Sequence, residues 1–236
     1  MANFRYKVLR ESLYVQQYFK GVALEWRELP TRFFKTLYEL LGERLNIQTA
    51  ELSANPSTQL SEVRARYNIY GGPSTVTLFA DRLAFEFPNF TASELTLVYE
   101  IMGTIHDRFP AAFPELALGR VEVQDMSHLD LGSQESVSEF FEPFEIPALA
   151  STFSDLPAQF VCAPIFYANS DDGQWKCKVE VEPSNLTSTA IFGAINATML
   201  KPDPSTSYLE KAAFIQQLTQ RCLKALDLEI DVAPQQ

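Results

Sequence analysis

Apolar and polar residues take turns most regularly near the C-terminus, where Trp175, Cys177, Val179 and Val181 alternate with Lys176, Lys178, Glu180 and Glu182. A period of two is what a strand with one buried and one wet face requires. Just ahead, Asn169-Ser170-Asp171-Asp172-Gly173 supplies the small, turn-tolerant residues of a hairpin loop, with Phe160 to Ala168 as the partner strand. Pro183-Ser184-Asn185 ends the run, and Ala190 to Leu200 returns as a third strand. Ser207 and Glu210 have capping-box spacing, and Phe214, Ile215, Leu218, Cys222 and Leu226 recur at helical spacing, which predicts a long closing helix. Leu228, Ile230 and Val232 then alternate with acidic residues as a short last strand.

The same reading applies from the start of the chain. Phe4, Tyr6 and Val8 alternate, as do Val22, Leu24 and Trp26, so the two runs form a hairpin or one long bent strand. Phe33, Phe34, Leu37, Leu40, Leu41 and Leu45 mark a helix after Pro30, and the polar stretch from Gln48 to Thr58 is expected to be a surface loop. Three short alternating runs follow, through Val63 to Ile69, Val76 to Ala80 and Leu83 to Phe87. They predict a three-stranded meander. Thr91 and Glu94 cap a second helix carrying Leu95, Val98, Met102, Ile105 and Phe109, which Pro110 should terminate, and Leu118 to Leu131 is another strand. From Gly132 to Pro157 regular periodicity fails; acidic residues and phenylalanines alternate with prolines, predicting a short helix at Ser136 to Phe141 inside a long loop.

These elements define an α+β protein: antiparallel meander sheets packed against long amphipathic helices. The halves repeat the order strand, helix, meander, capped helix, from Phe4 to Phe109 and from Leu118 to Leu226. Two tandem βαβββα units, residues 1–115 and 116–236, are therefore expected, joined edge to edge into one sheet with helices on one side. The order matches without matching residues, and any α+β chain of this size also generates such an order by chance. In architecture alone it resembles the duplicated saddle of the TATA-binding-protein fold and the helix-grip cups that enclose hydrophobic ligands.

A chain of 236 residues with 46% hydrophobic and 12% aromatic content holds ample material for a core. Its formal charge of -11 repels phosphate backbones and anionic lipid, so neither nucleic acid nor membrane is an expected partner. Cys162, Cys177 and Cys222 are too few and too scattered for a disulfide framework, and there is neither a signal-like apolar start nor a spanning run. A reducing cytoplasm is the expected setting.

Chemistry-bearing patterns are sparse. No phosphate loop, nucleophile elbow, dinucleotide fingerprint or metal-ligand spacing occurs, so no cofactor and no metal is expected. Alternation puts Glu122, Gln124, His128 and Asp130 on one strand face, a carboxylate and imidazole set that hydrolytic or metal chemistry would need, and that a solvated strand also produces. Glu122, His128 and Asp130 are the catalytic candidates. His106, toward the end of its helix, is expected to complement the C-terminal dipole. Arg64 with Arg66, and Lys176 with Lys178, form two basic pairs that a duplicated sheet would hold at corresponding places. In the irregular segment, Glu139, Phe140, Phe141, Phe144 and Phe153 are the candidates for binding a partner or ligand, because surface phenylalanines cost solvation unless they dock. The expected function is a noncatalytic protein-interaction or assembly module, acting with a protein partner or as a homo-oligomer. A binder of a small hydrophobic ligand, in a cup between sheet and C-terminal helix, is the alternative, and a hydrolase or metal enzyme a second.

Overall fold

A computed structural model describes residues 4–23, 28–55, 63–91, 93–148, 162–200 and 208–230. The protein is mixed α+β. Its strands are β1 (Phe4–Phe19), β2 (Leu52–Asn55), β3 (Arg64–Asn68), β4 (Thr75–Phe79), β5 (Arg82–Phe90), β6 (Leu118–Asp130), β7 (Ile165–Asn169), β8 (Trp175–Pro183), β9 (Ala190–Met199) and β10 (Leu228–Ile230). Its helices are α1 (Leu29–Leu45), α2 (Leu95–Ala112), α3 (Gln134–Phe141) and α4 (Tyr208–Ala225). All strands join one ten-stranded sheet, ordered β2-β3-β4-β5-β1-β6-β9-β8-β7, with β10 beside the start of β1. Every pairing is antiparallel except β1 with β10, where Phe4 lies opposite Leu228.

The N-terminal runs are one strand as far as Phe19 rather than a hairpin; Leu24 and Trp26 lie outside the described residues. β1 stays in register only by shifting twice against β6, between Val8 and Arg10 and between Gln17 and Phe19, the irregularities of bulged strands. The polar stretch after α1, expected to be loop, contains β2 at the sheet edge. Of its four residues only Leu52 packs on the core, and the backbone ladder to β3 holds the rest. Pro110 does not stop α2, which runs to Ala112; a proline in the last turn removes only one helical hydrogen bond.

The four described helices cover one sheet face. In the larger core, Phe33, Leu37, Leu41 and Leu45 of α1 and Val98, Met102, Ile105 and Phe109 of α2 pack on Leu13, Val15, Leu83, Phe85, Val121 and Val123. A second core brings Val137, Phe140 and Phe141 of α3 onto Leu129, Cys177, Val179, Val181, Ile191 and Ile195. The β8 alternation holds there, with Cys177, Val179 and Val181 buried. α3 starts earlier than its sequence suggests because Ser133 caps it, its hydroxyl accepting from Ser136 N at 3.0 Å. The proposed cap of α4, Ser207, and Val232 after β10 lie outside the described residues.

Candidate functional site

β6 presents Glu122, Gln124, His128 and Asp130 on the face away from the described helices, opposite Thr198, Asn196, Phe192 and Ala190 of β9. They are spread along the strand, not gathered. Six residues from Glu122 to His128 cover about 20 Å of extended chain. Each also has a local partner. Glu122 pairs with Arg120 at 3.0 Å and accepts from the Tyr18 hydroxyl at 3.2 Å. His128 Nδ1 lies 2.8 Å from Ser184 Oγ, with burial and Arg10 holding its pKa below the usual imidazole range. Asp130 accepts from Gly132 N at 3.0 Å. Among the described residues, no three of His, Cys, Asp and Glu gather closely enough to hold a metal ion.

The acidic, aromatic segment folds back on its own core. Phe140 and Phe141 are buried, and Phe140 meets Phe4 edge to face at 5.6 Å. Phe144, in a single 3-10 turn after α3, is half-buried and faces Phe166 at 6.1 Å. Glu139 stays exposed, and Phe153 lies outside the described residues. Phenylalanines in this segment need to dock somewhere, and Phe140 and Phe141 dock on the protein's own core. Helical spacing turns them inward once Ser133 nucleates α3.

Between α3, the sheet and the end of α4 lies a cavity of about 880 Å³. Phe4, Phe140, Phe144, Phe166, Val179 and Leu226 line it, with Cys222 and Ala225 from α4 and Glu139, Glu142, Pro143 and Asp227 around it. Ligand pockets typically measure about 300–1,000 Å³ and are mostly apolar with few polar groups. The buried Cys177 thiol donates a hydrogen bond to the sulfur of Cys222, which lowers the Cys222 pKa to about 7.

A second feature, missed in the sequence reading, is a polar seam beneath α4. Asp125 occupies an inward position of β6 between Val123 and Leu129, and Glu11 approaches it from β1. Burial lifts Asp125 to about 6, slightly opposed by the nearby Thr219 hydroxyl. Burial, then the charge of Asp125, lifts Glu11 to about 7. Asp125 Oδ1 and Thr219 Oγ1 are both buried without a hydrogen-bond partner among the described residues. Two cavities of about 20 Å³ each flank Asp125, roughly the volume of one water. Tyr99 and Lys211 face the same seam. At its far end His106 is buried rather than at a helix terminus; its Nε2 lies 3.2 Å from Gln17 Oε1. Burial, then Lys211, holds its pKa down at about 4, so the expected role as a cation at the helix dipole is corrected. The signal was present in the alternation. An acid stood where only apolar residues belong.

No known protein family matches this sequence, and no curated protein matches it. Solved structures similar to it include the rolling circle replication initiator protein from Geobacillus stearothermophilus, with 12% identity, coverage of 92% of this chain and 80% of that chain, and a TM-score of 0.33. A likeness at that level carries no argument about the site. It does run against the exclusion of nucleic acid drawn from net charge, and that exclusion is withdrawn. The physical reason is that net charge averages over the whole surface. Strand register sets Arg10, Arg64, Arg66, Arg82, Arg120, Lys176 and Lys178 on the face away from the described helices, interspersed with Glu86, Glu122, Asp130, Glu180 and Glu182, of which Glu86, Glu122 and Glu180 pair with Arg66, Arg120 and Lys178. The two basic pairs do not correspond in position, because β3 is the third strand out from the sheet centre on its side and β8 the second on the other. Among the described residues, no helix is long and apolar enough to cross a membrane.

Proposed function

We propose that the protein is a noncatalytic binder of a small hydrophobic ligand, held between α3, the second half of the sheet and α4. The observation that carries this reading is the cavity of about 880 Å³ with four phenylalanines in its wall. Apolar surface gathered in a concave site open to water is unfavourable unless something covers it. Two tandem units give the cavity an origin. Outward from the central pair β1 and β6, the sheet runs β5-β4-β3-β2 on one side and β9-β8-β7 on the other. α1 follows β1 as α3 follows β6, but α1 has 17 residues and α3 has 8. Among the described residues the shorter helix covers less of its half of the sheet, and the space lies beside it.

The test is titration with N-phenyl-1-naphthylamine, a neutral probe that fluoresces in apolar surroundings. One saturable site per chain is expected in the native protein, and Ala225→Trp, which fills the cavity from α4, should abolish it while circular dichroism stays unchanged. Absence of saturable binding, or binding indifferent to Ala225→Trp, refutes the reading.

A second reading, protein interaction through a sheet edge, has one observation in its favour. β7 is the outermost strand on its side, and Ile165, Phe166 and Tyr167 on it are exposed. Such an edge offers unpaired backbone groups to an extended segment of another protein. Tyr167→Lys should weaken any association seen by sedimentation; association unaffected by it would remove this reading.

A further inference from the structure

We propose that the cavity selects a lipophilic amine, with the apolar body among the phenylalanines and the ammonium head at an acidic rim. This rests on the cavity being a ligand site. Among the described residues that line it, the charged side chains are Glu139, Glu142 and Asp227, and none is basic. They stand on two walls. Glu139 is on α3 and Glu142 one turn further on, three residues apart and therefore on one side of the helical path. Asp227 occupies the corner between α4 and β10, in a left-handed conformation with φ of 56°, and its carbonyl accepts from Phe4 N at 2.9 Å. That hydrogen bond ties the corner to the start of β1, so the acidic group opposite α3 is held by backbone rather than by a flexible tail.

The chemistry of the occupant follows from this distribution. A fatty-acid carboxylate would set its charge against three acidic side chains with no cation among the described lining residues, and would have to shed water to do so. A neutral alcohol would gain the apolar contacts alone. An ammonium head gains the same contacts, attraction to both walls, and the faces of nearby phenylalanine rings, which favour cations.

The experiment is competition against N-phenyl-1-naphthylamine by three ligands with the same twelve-carbon chain: dodecylammonium, 1-dodecanol and dodecanoate, each below its aggregation limit at pH 7. Dodecylammonium is expected to displace the probe at about tenfold lower concentration than dodecanol, with dodecanoate weaker than both. Added salt should narrow that spread. In the Glu139→Gln/Glu142→Gln/Asp227→Asn variant, dodecylammonium should fall to the level of dodecanol while dodecanol itself is unchanged. Dodecanoate displacing as well as dodecylammonium in the native protein overturns the proposal and leaves the cavity reading standing. Dodecylammonium binding that survives Ala225→Trp also overturns it, since the amine would then sit on the acidic surface. No binding of the neutral probe overturns the cavity reading itself.

Discussion

Replacing Asp125 with asparagine removes the carboxylate from beneath α4 while keeping its shape and an acceptor toward Thr219. Asp125 is lifted from 3.8 to about 6 chiefly by burial. A folded-state pKa above the unfolded one means that the native protein favours the protonated acid. Its contribution is fully present below the unfolded pKa and is lost as pH rises through the folded pKa, a window from about pH 4 to about pH 7. Each unit is worth about 1.36 kcal/mol, so the native protein at pH 8 carries a penalty of about 3 kcal/mol from this group, or about 2 kcal/mol if water in the flanking cavities relaxes it. Glu11 is lifted in the same direction and shares the titration; its more exposed side chain adds less. The other titratable groups facing the seam are Tyr6 on β1, Tyr99 and His106 on α2 and Lys211 on α4.

The wild-type profile alone does not isolate Asp125, because His106 acts with the opposite sign. Its folded pKa is depressed to about 4, so its contribution is present above the unfolded imidazole pKa of 6.5 and is lost as pH falls toward 4. The difference between Asp125→Asn and wild type cancels that term. Urea unfolding at 25 °C, followed by circular dichroism at pH 4, 6 and 8, should give a difference near zero at pH 4. It should rise to about 2–3 kcal/mol in favour of the variant at pH 8, or about 5–10 °C in melting temperature for a chain of this length. A variant equally or less stable than wild type at pH 8, or a difference flat across the range, refutes the buried-acid account.

Three further outcomes follow from the cavity wall. Cys177→Ala removes the thiol that donates to Cys222, so the pH midpoint for Cys222 alkylation by iodoacetamide, read by peptide mass spectrometry, should climb from near 7 toward 9; an unmoved midpoint means that the hydrogen bond does not set its acidity. Ser133→Ala removes the cap of α3 and should cost about 1 kcal/mol in urea unfolding, with weaker probe binding because α3 forms one wall; no loss of stability would show that the cap is dispensable. Phe140→Ala deletes a buried ring that touches Phe4, Phe141 and Phe144 and should cost about 3–5 kcal/mol; a loss below about 1 kcal/mol would mean that the second core is not packed around it.

The β8 hairpin and the α1 stripe were legible because side-chain periods of two and of three to four survive wherever one face of a regular element is buried. β2 was not, since an edge strand of Leu52-Ser53-Ala54-Asn55 is held by backbone pairing and leaves almost no pattern. Glu11 was hidden by a different effect. Tyr6 points into the core from an even position and Leu13 from an odd one, so the phase of β1 flips at its irregular stretch, and a reader following alternation loses track of which side Glu11 takes. Asp125 lay in plain alternation with Val121, Val123 and Leu129, and a rule that treats every inward acid as a question would have found it. His106 could not be placed this way, because its partner Gln17 comes from a strand 89 residues earlier. The cavity was beyond any local pattern. Its walls come from β1, α3, β7, β8 and the end of α4, elements far apart in the chain, so no single run of sequence announces it. Of the candidate phenylalanines, Phe140 and Phe144 line the site while Phe141 is buried in the core beside it. The same aromatic mass that would be costly in a solvated loop becomes, once Ser133 starts α3, the lining of a pocket.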